Sequence, residues 1–148
     1  MRVSFTVVLD EFEALSANEQ QDVYLDALWS LINENAAWLK VGRRFASGFP
    51  RLYDAGIRFA ISEEEKSGRE PNLWPNIPAI LRVGHAHCVG LACWRIAELR
   101  VRDNVDARPA VAIFQEVRDV GRVDEFHICV RFPDGTIEDP SALLGMPT

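Results

Sequence analysis

Residues 85–99 read His85-Ala-His-Cys-Val-Gly-Leu-Ala-Cys-Trp-Arg-Ile-Ala-Glu-Leu99. From about Val89 onward, apolar residues recur at the three- and four-residue spacing of an amphipathic helix. The pattern predicts a helix with one broad apolar face and places Cys88 at its start or just before it. This position matters chemically because the unpaired N–H groups and the dipole of a helix start stabilise a thiolate.

A second helix is predicted upstream of the cysteine. Ser16-Ala-Asn-Glu19 has the spacing of a capping box, in which the serine oxygen and the glutamate carboxylate each accept a backbone N–H. Before it, the β-branched and apolar residues from Arg2 to Leu9 predict a strand. We therefore expect an N-terminal strand and helix over residues 1–41. The apolar stripe of the helix comprises Leu25, Leu28, Trp29, Ile32, Ala36 and Leu39.

The remaining chain divides into two parts. Residues 42–83 are expected to form a long loop region, with room for a short strand in residues 56–61, because glycine and proline interrupt them repeatedly. Residues 84–148 hold the cysteine helix and then strands, the last two joined by a Pro133-Asp-Gly135 turn. Helices followed by an antiparallel meander predict one α+β domain over residues 1–148. The expected strands cover residues 111–114, 126–132 and 136–138.

Charge and composition exclude several classes of protein. The chain of 148 residues carries a net charge of −6, whereas a nucleic-acid groove needs clustered lysine and arginine. It has neither a run long enough to span a membrane nor the layout of a signal peptide, which predicts a soluble protein that is cytoplasmic or virion-associated. Three cysteines are an odd number and favour free thiols over a disulfide framework. We expect no cofactor, no nucleic-acid partner and no membrane partner.

A nucleophilic cysteine requires a base, and His127 on a predicted strand is the best candidate. His85 and His87 are sequence neighbours of Cys88, but loop residues beside a nucleophile seldom point at it. Asp139 ends the strand that returns from the turn, where a carboxylate can orient the imidazole. The sequence therefore predicts a catalytic triad whose pairing depends on the strand register.

Three motifs resemble a known family over roughly residues 50–146. They are the helix start His87-Cys-Val-Gly-Leu-Ala92, the strand His127-Ile-Cys-Val-Arg131, and the segment Gly135-Thr-Ile-Glu-Asp-Pro-Ser-Ala-Leu-Leu-Gly-Met146. Together with Leu52-Tyr-Asp-Ala-Gly-Ile-Arg-Phe59, they are similar to transglutaminase-like, papain-fold cysteine proteins common in phage and prophage structural gene clusters.

The resemblance implies both a fold and a chemistry. The fold would place the cysteine helix against an antiparallel sheet. The chemistry would be attack by a thiolate on an amide or acyl carbon of a protein or peptide, giving a thioester that water or an amine resolves. Trp74 and His87 are weak candidates for the wall of the substrate cleft.

Two other functions compete with the enzyme. Histidine and cysteine are zinc-binding residues, and their clustering offers His85, His87, Cys88 and Cys129 as an alternative ligand set, although without the spacing of a strong zinc motif. Alternatively, the fold serves as a structural or interaction component of a virion or similar assembly with other assembly proteins.

Several of the same residues also have purely structural interpretations. Cys93 is expected to lie in the core, and Cys129, which would share the strand face of His127, is expected to have a packing role. Asp139 alternatively caps the short helical segment that follows it.

Overall fold

The computed structural model describes residues 16–42, 48–61, 74–118 and 121–147, and the strand predicted for residues 2–9 lies outside them. Helix α1 spans Ala17–Gly42 and begins with the predicted capping box. The Ser16 Oγ accepts the Glu19 N–H at 3.2 Å, and the Glu19 Oε1 accepts the Ser16 N–H at 3.0 Å. The predicted stripe turns inward, since Leu28 and Leu39 are at most 1% exposed.

Helix α3, Cys88–Arg102, lies at the centre of the described structure and confirms the helix predicted from residues 85–99. It packs against α1 on one side and the sheet on the other. Its apolar face is wholly enclosed, with Leu91, Trp94 and Ile96 all 0% exposed. Since a helix in this position has little freedom to shift, its first residue is held in a defined place.

The segment expected to be a long loop contains regular structure. A 3₁₀ turn at Leu52–Asp54 and strand β1 at Arg58–Phe59 are followed by helix α2 at Ile77–Val83. The loop prediction is therefore wrong over residues 77–83. Asn76 caps α2, its Oδ1 accepting the Ala79 N–H at 3.0 Å, and a proline lies in the first turn, where its missing N–H costs nothing.

Two small sheets are present in the described residues, and the mixed α and β class predicted from the sequence is confirmed. Strand β1 pairs in parallel with β2, His85–Ala86. The other sheet is antiparallel in the order β3-β4-β5, formed by Arg108–Arg118, Gly121–Arg131 and Ile137–Glu138.

The hairpin between β4 and β5 turns through the predicted Pro133–Gly135 segment. Gly135 adopts a φ of 88°, a conformation that glycine tolerates best, and its N–H bonds to the Phe132 carbonyl at 2.9 Å. The short helix α4, Pro140–Leu143, follows β5 at once. No helix in the described part of the chain combines the length and apolar character that a membrane span requires.

We predict that Leu91→Ala lowers the free energy of unfolding by about 2 to 5 kcal/mol, because it opens a cavity in the enclosed face of α3. Leu143→Ala makes the same chemical change at a side chain that is 63% exposed, and we expect it to cost less than about 1 kcal/mol. Urea titrations followed by tryptophan fluorescence measure both variants. Equal losses would show that α3 is not the centre of the core.

Candidate active site

Cys88 is the first residue of α3, as the sequence predicted. The preceding residue, His87, is the N-cap, and its Nδ1 accepts the Val89 N–H at 3.3 Å. The Cys88 sulfur is half-buried and lies 3.9 Å from the Phe126 carbonyl oxygen on β4. The thiol therefore combines the positive end of a helix with contact to the strand that carries the predicted base.

The structure brings the three predicted catalytic residues together. The Nε2 of His127 lies 2.8 Å from the Oδ2 of Asp139. The His127 imidazole and the Cys88 thiol are near enough for each to shift the pKa of the other, and Nδ1 is the ring nitrogen that the carboxylate leaves unengaged. Strand pairing explains the juxtaposition, because Val130 opposite Glu138 brings the end of β5 beside β4.

Asp139 has both of the roles proposed from the sequence, one for each carboxylate oxygen. While Oδ2 meets His127, Oδ1 accepts the N–H groups of Ser141 and Ala142 at 3.1 and 3.3 Å. Capping of α4 thus holds the carboxylate in position while its second oxygen orients the imidazole.

The electrostatics favour a thiolate and an imidazolium at neutral pH. Burial alone would raise the pKa of the Cys88 thiol, but hydrogen bonds to the imidazoles of His127 and His87 lower that pKa to about 6. The hydrogen bond to Cys88, opposed by burial and assisted by Asp139, raises the pKa of His127 to about 9. Between these values the charged pair is the dominant form.

His87 is closer to the chemistry than the sequence argument allowed. We expected histidines beside the nucleophile to point away, and for His87 this is wrong, because its Nδ1 accepts the Val89 N–H at the helix start and its imidazole lowers the pKa of the Cys88 thiol. Its role as N-cap turns the ring back over the helix start. His85 is exposed on β2 and lines a surface cavity of about 510 Å³ together with Arg58 and Leu144.

Aromatic rings from α1 and β4 pack together, and the β4 member, Phe126, carries the carbonyl oxygen that lies near the Cys88 sulfur. Tyr24 of α1 stacks on Phe126 with ring centroids 4.6 Å apart, and Trp74 meets Tyr24 edge-on at 5.2 Å. Trp74 is thus joined to Phe126 through Tyr24, and its place in a cleft wall stays a prediction. Tyr24 was not predicted from the sequence. The sequence feature that could have found it is its position on the inward side of α1, next to the predicted apolar stripe.

An ion-pair network, also missed from the sequence, ties β5 to the cysteine helix. The Arg95 guanidinium of α3 binds Glu138 and Glu98, each at 2.8 Å, and the Tyr53 hydroxyl donates to Glu138 at 2.8 Å. Glu98 is 0% exposed and also accepts the Leu52 N–H at 2.8 Å. Since Glu138 immediately precedes Asp139, the network helps to set the distance between nucleophile and orienting carboxylate.

The possible metal ligands differ from those predicted. Within the described ranges, one group brings three such side chains together, and it consists of His127, Cys129 and Asp139. Of the four predicted alternative ligands, only Cys129 belongs to it. Cys129 is half-buried beside the triad on the same strand face as His127, whereas Cys93 is 0% exposed and confirms the prediction of a core residue.

Comparisons with protein-family models, with curated proteins and with solved structures found no match. A function for this chain is therefore inferred from its own geometry.

We predict that iodoacetamide alkylates Cys88 at a rate that rises through about pH 6 and then levels off, because the thiolate is the reactive form. Cys129 reacts far more slowly at pH 7, since burial and the nearby Asp139 carboxylate raise the pKa of its thiol to about 11. Peptide mapping across pH gives the rate at each cysteine. His127→Gln should move the Cys88 inflection upward and the control His85→Gln should not. A wild-type inflection at pH 8 to 9, roughly the value of an ordinary thiol, contradicts the prediction.

We also predict that Arg95→Met lowers the free energy of unfolding by about 3 kcal/mol or more, because it leaves the buried Glu98 without its cation. The matched control is Arg108→Met, which breaks an ion pair with Asp106 whose side chains are 64% and 54% exposed. We expect that control to cost at most about 1 kcal/mol. Similar losses in urea titrations of both variants would mean that the network contributes no more than a surface ion pair.

Proposed function

We propose that this protein is a cysteine hydrolase or acyltransferase that acts on an amide or acyl carbon through a thioester. The observation that carries the proposal is the His127 imidazole, whose Nε2 lies 2.8 Å from the Asp139 carboxylate and which is near enough to the Cys88 thiol for each to shift the pKa of the other. These residues are far apart in the chain, and each has the chemical type that its role requires. The order of cysteine, histidine and aspartate, with the cysteine on a helix that packs on an antiparallel sheet, supports a transglutaminase-like, papain-related fold.

Each residue has a defined step in the proposed reaction. The Cys88 thiolate attacks the carbonyl carbon, and a new C–S bond forms as the carbonyl electrons move to oxygen. The Cys88 backbone N–H, which at the first position of α3 has no acceptor within the helix, is one donor for that oxyanion. The His127 imidazolium then protonates the leaving amine, and the C–N bond breaks to leave the thioester.

The second half of the reaction uses the same imidazole in the opposite direction. Neutral His127 takes a proton from water or an amine as that molecule attacks the thioester, and the thiolate leaves. Asp139 holds Nε2 protonated throughout, so that Nδ1 exchanges protons with the reacting groups. The rings of Tyr24, Phe126 and Trp74 offer an apolar wall beside the sulfur for the substrate.

We predict that p-nitrophenyl acetate acetylates Cys88 and that the acetyl group is released with turnover. Cys88→Ala should give no thioester. His127→Gln should turn over at least about 100-fold more slowly because it lacks the acid and base, and Asp139→Asn at least about tenfold more slowly because it favours the wrong tautomer. Peptide mapping and release of p-nitrophenol measure the two steps.

The matched controls for this experiment are His85→Gln and Asp103→Asn, which change the same residue types outside the site and should retain the wild-type rate. Acetylation that is as fast in His127→Gln as in the wild type would count against the triad. Acetylation confined to lysines would count against the nucleophile.

A further inference from the structure

Three different donor atoms converge at the His127 imidazole. A ring nitrogen of His127, the Sγ of Cys129 and a carboxylate oxygen of Asp139 all lie within 4.8 Å of one another. The cluster follows from the fold, since alternate residues of β4 share a face and the end of β5 lies against it. The side chains of His127 and Asp139 are 17% and 27% exposed, so the site is sheltered but open to ions.

This set of donors is the one that zinc uses. Zn²⁺ binds imidazole nitrogen, thiolate sulfur and carboxylate oxygen at about 2.0 to 2.3 Å in a tetrahedron, which separates the ligand atoms by roughly 3.3 to 3.8 Å. The His127 Nε2 and Asp139 Oδ2, now 2.8 Å apart, would have to move apart slightly, and Cys129 would have to turn inward. Since Oδ1 stays bound to the start of α4, Oδ2 remains available as a ligand.

We propose that His127, Cys129 and Asp139 bind one zinc ion, with water in the fourth position, and that the ion inhibits the enzyme. The inhibitory part rests on the proposed function. The metal site itself does not, because it requires only the three donors and access from solvent.

Inhibition follows from the proton that the metal replaces. Binding releases the Nε2 proton of His127 and the thiol proton of Cys129, and the ion forms bonds to both atoms. The imidazole then keeps a single proton, on Nδ1. Giving that proton to the leaving group would turn the neutral ligand into an imidazolate anion, so the metal-bound ring is a far weaker acid than the imidazolium. While Nδ1 keeps its proton, the ring cannot accept another from the attacking water or amine. Asp139 is also lost as the orienting acceptor because its Oδ2 is bound to the metal.

The geometry also says which thiol binds the metal. The group of three donors contains the Cys129 sulfur and does not contain the Cys88 sulfur. Cys129 is therefore the sulfur ligand and Cys88 is not. Replacing one thiol or the other should have opposite effects on metal binding.

Cobalt(II) is the probe, because a thiolate ligand gives it a charge-transfer band in the near ultraviolet. Chelator-treated wild type, Cys88→Ser and Cys129→Ser are titrated with Co²⁺, and folding of each variant is checked by circular dichroism. We expect one Co²⁺ per chain with the thiolate band in the wild type and in Cys88→Ser. In Cys129→Ser the band should disappear and binding should weaken at least about tenfold. If Cys129→Ser is not correctly folded, Cys129→Ala replaces it in the same titration.

A parallel assay measures turnover of p-nitrophenyl acetate with and without Zn²⁺, expressed as a ratio within each protein. Zinc should inhibit the wild type and spare Cys129→Ser. A cobalt band that survives in Cys129→Ser but is lost in Cys88→Ser would overturn the proposal, as would the absence of a band in the wild type. The readouts separate the two proposals. Turnover without a thiolate band would support the enzyme and rule out the metal site. A Cys129-dependent band in a protein whose Cys88 is not acetylated would support the metal site and rule out the enzyme.

Discussion

The division of the Asp139 carboxylate between two partners is the constraint on which the site depends. One oxygen accepts two backbone N–H groups at the start of α4, and the other meets the His127 imidazole at 2.8 Å. Bonds from rigid backbone groups restrict the carboxylate far more than solvent would, so the imidazole has a fixed acceptor. The start of helix α4, through Asp139, thereby fixes the orientation of the His127 imidazole.

The nucleophile is restricted in a comparable way from the opposite side. Cys88 begins a helix whose apolar face is fully enclosed, and His87 both caps that helix and contacts the thiol. Placing a sulfur at the positive end of a helix and beside two imidazoles overcomes the effect of burial, which by itself would favour the neutral thiol. A half-buried cysteine can therefore be charged near neutral pH.

Arg95 connects these two halves of the site. It extends from the cysteine helix to Glu138, the residue before the orienting carboxylate, and is held between Glu138 and the buried Glu98. A buried pair of this kind contributes little net stability compared with an apolar substitute, but it permits only one arrangement of its partners. The Cys129 sulfur also lies near His127 and Asp139. The three side chains together form a set of possible metal ligands that His127 and Asp139 alone would not provide.

The sequence by itself determined the features that arise from local interactions. The capping box and periodicity of α1, the helix with Cys88 at its start, and the turn at Gly135 follow from neighbouring residues and are present as predicted. Helix α2 was within reach of the same reasoning, because Asn76 and Pro78 form a helix-start signal that the surrounding glycines and prolines obscured.

Tertiary structure alone decided which distant side chains meet. The contact of His127 with Asp139 depends on the pairing of β4 with β5, and a slip of one residue would turn every side chain of a strand to the opposite face. Register depends on packing against α3 and on contacts between residues far apart in the chain. No local pattern encodes it, so the sequence could name His127, Cys129 and Asp139 as candidate residues but could not show that their side chains meet.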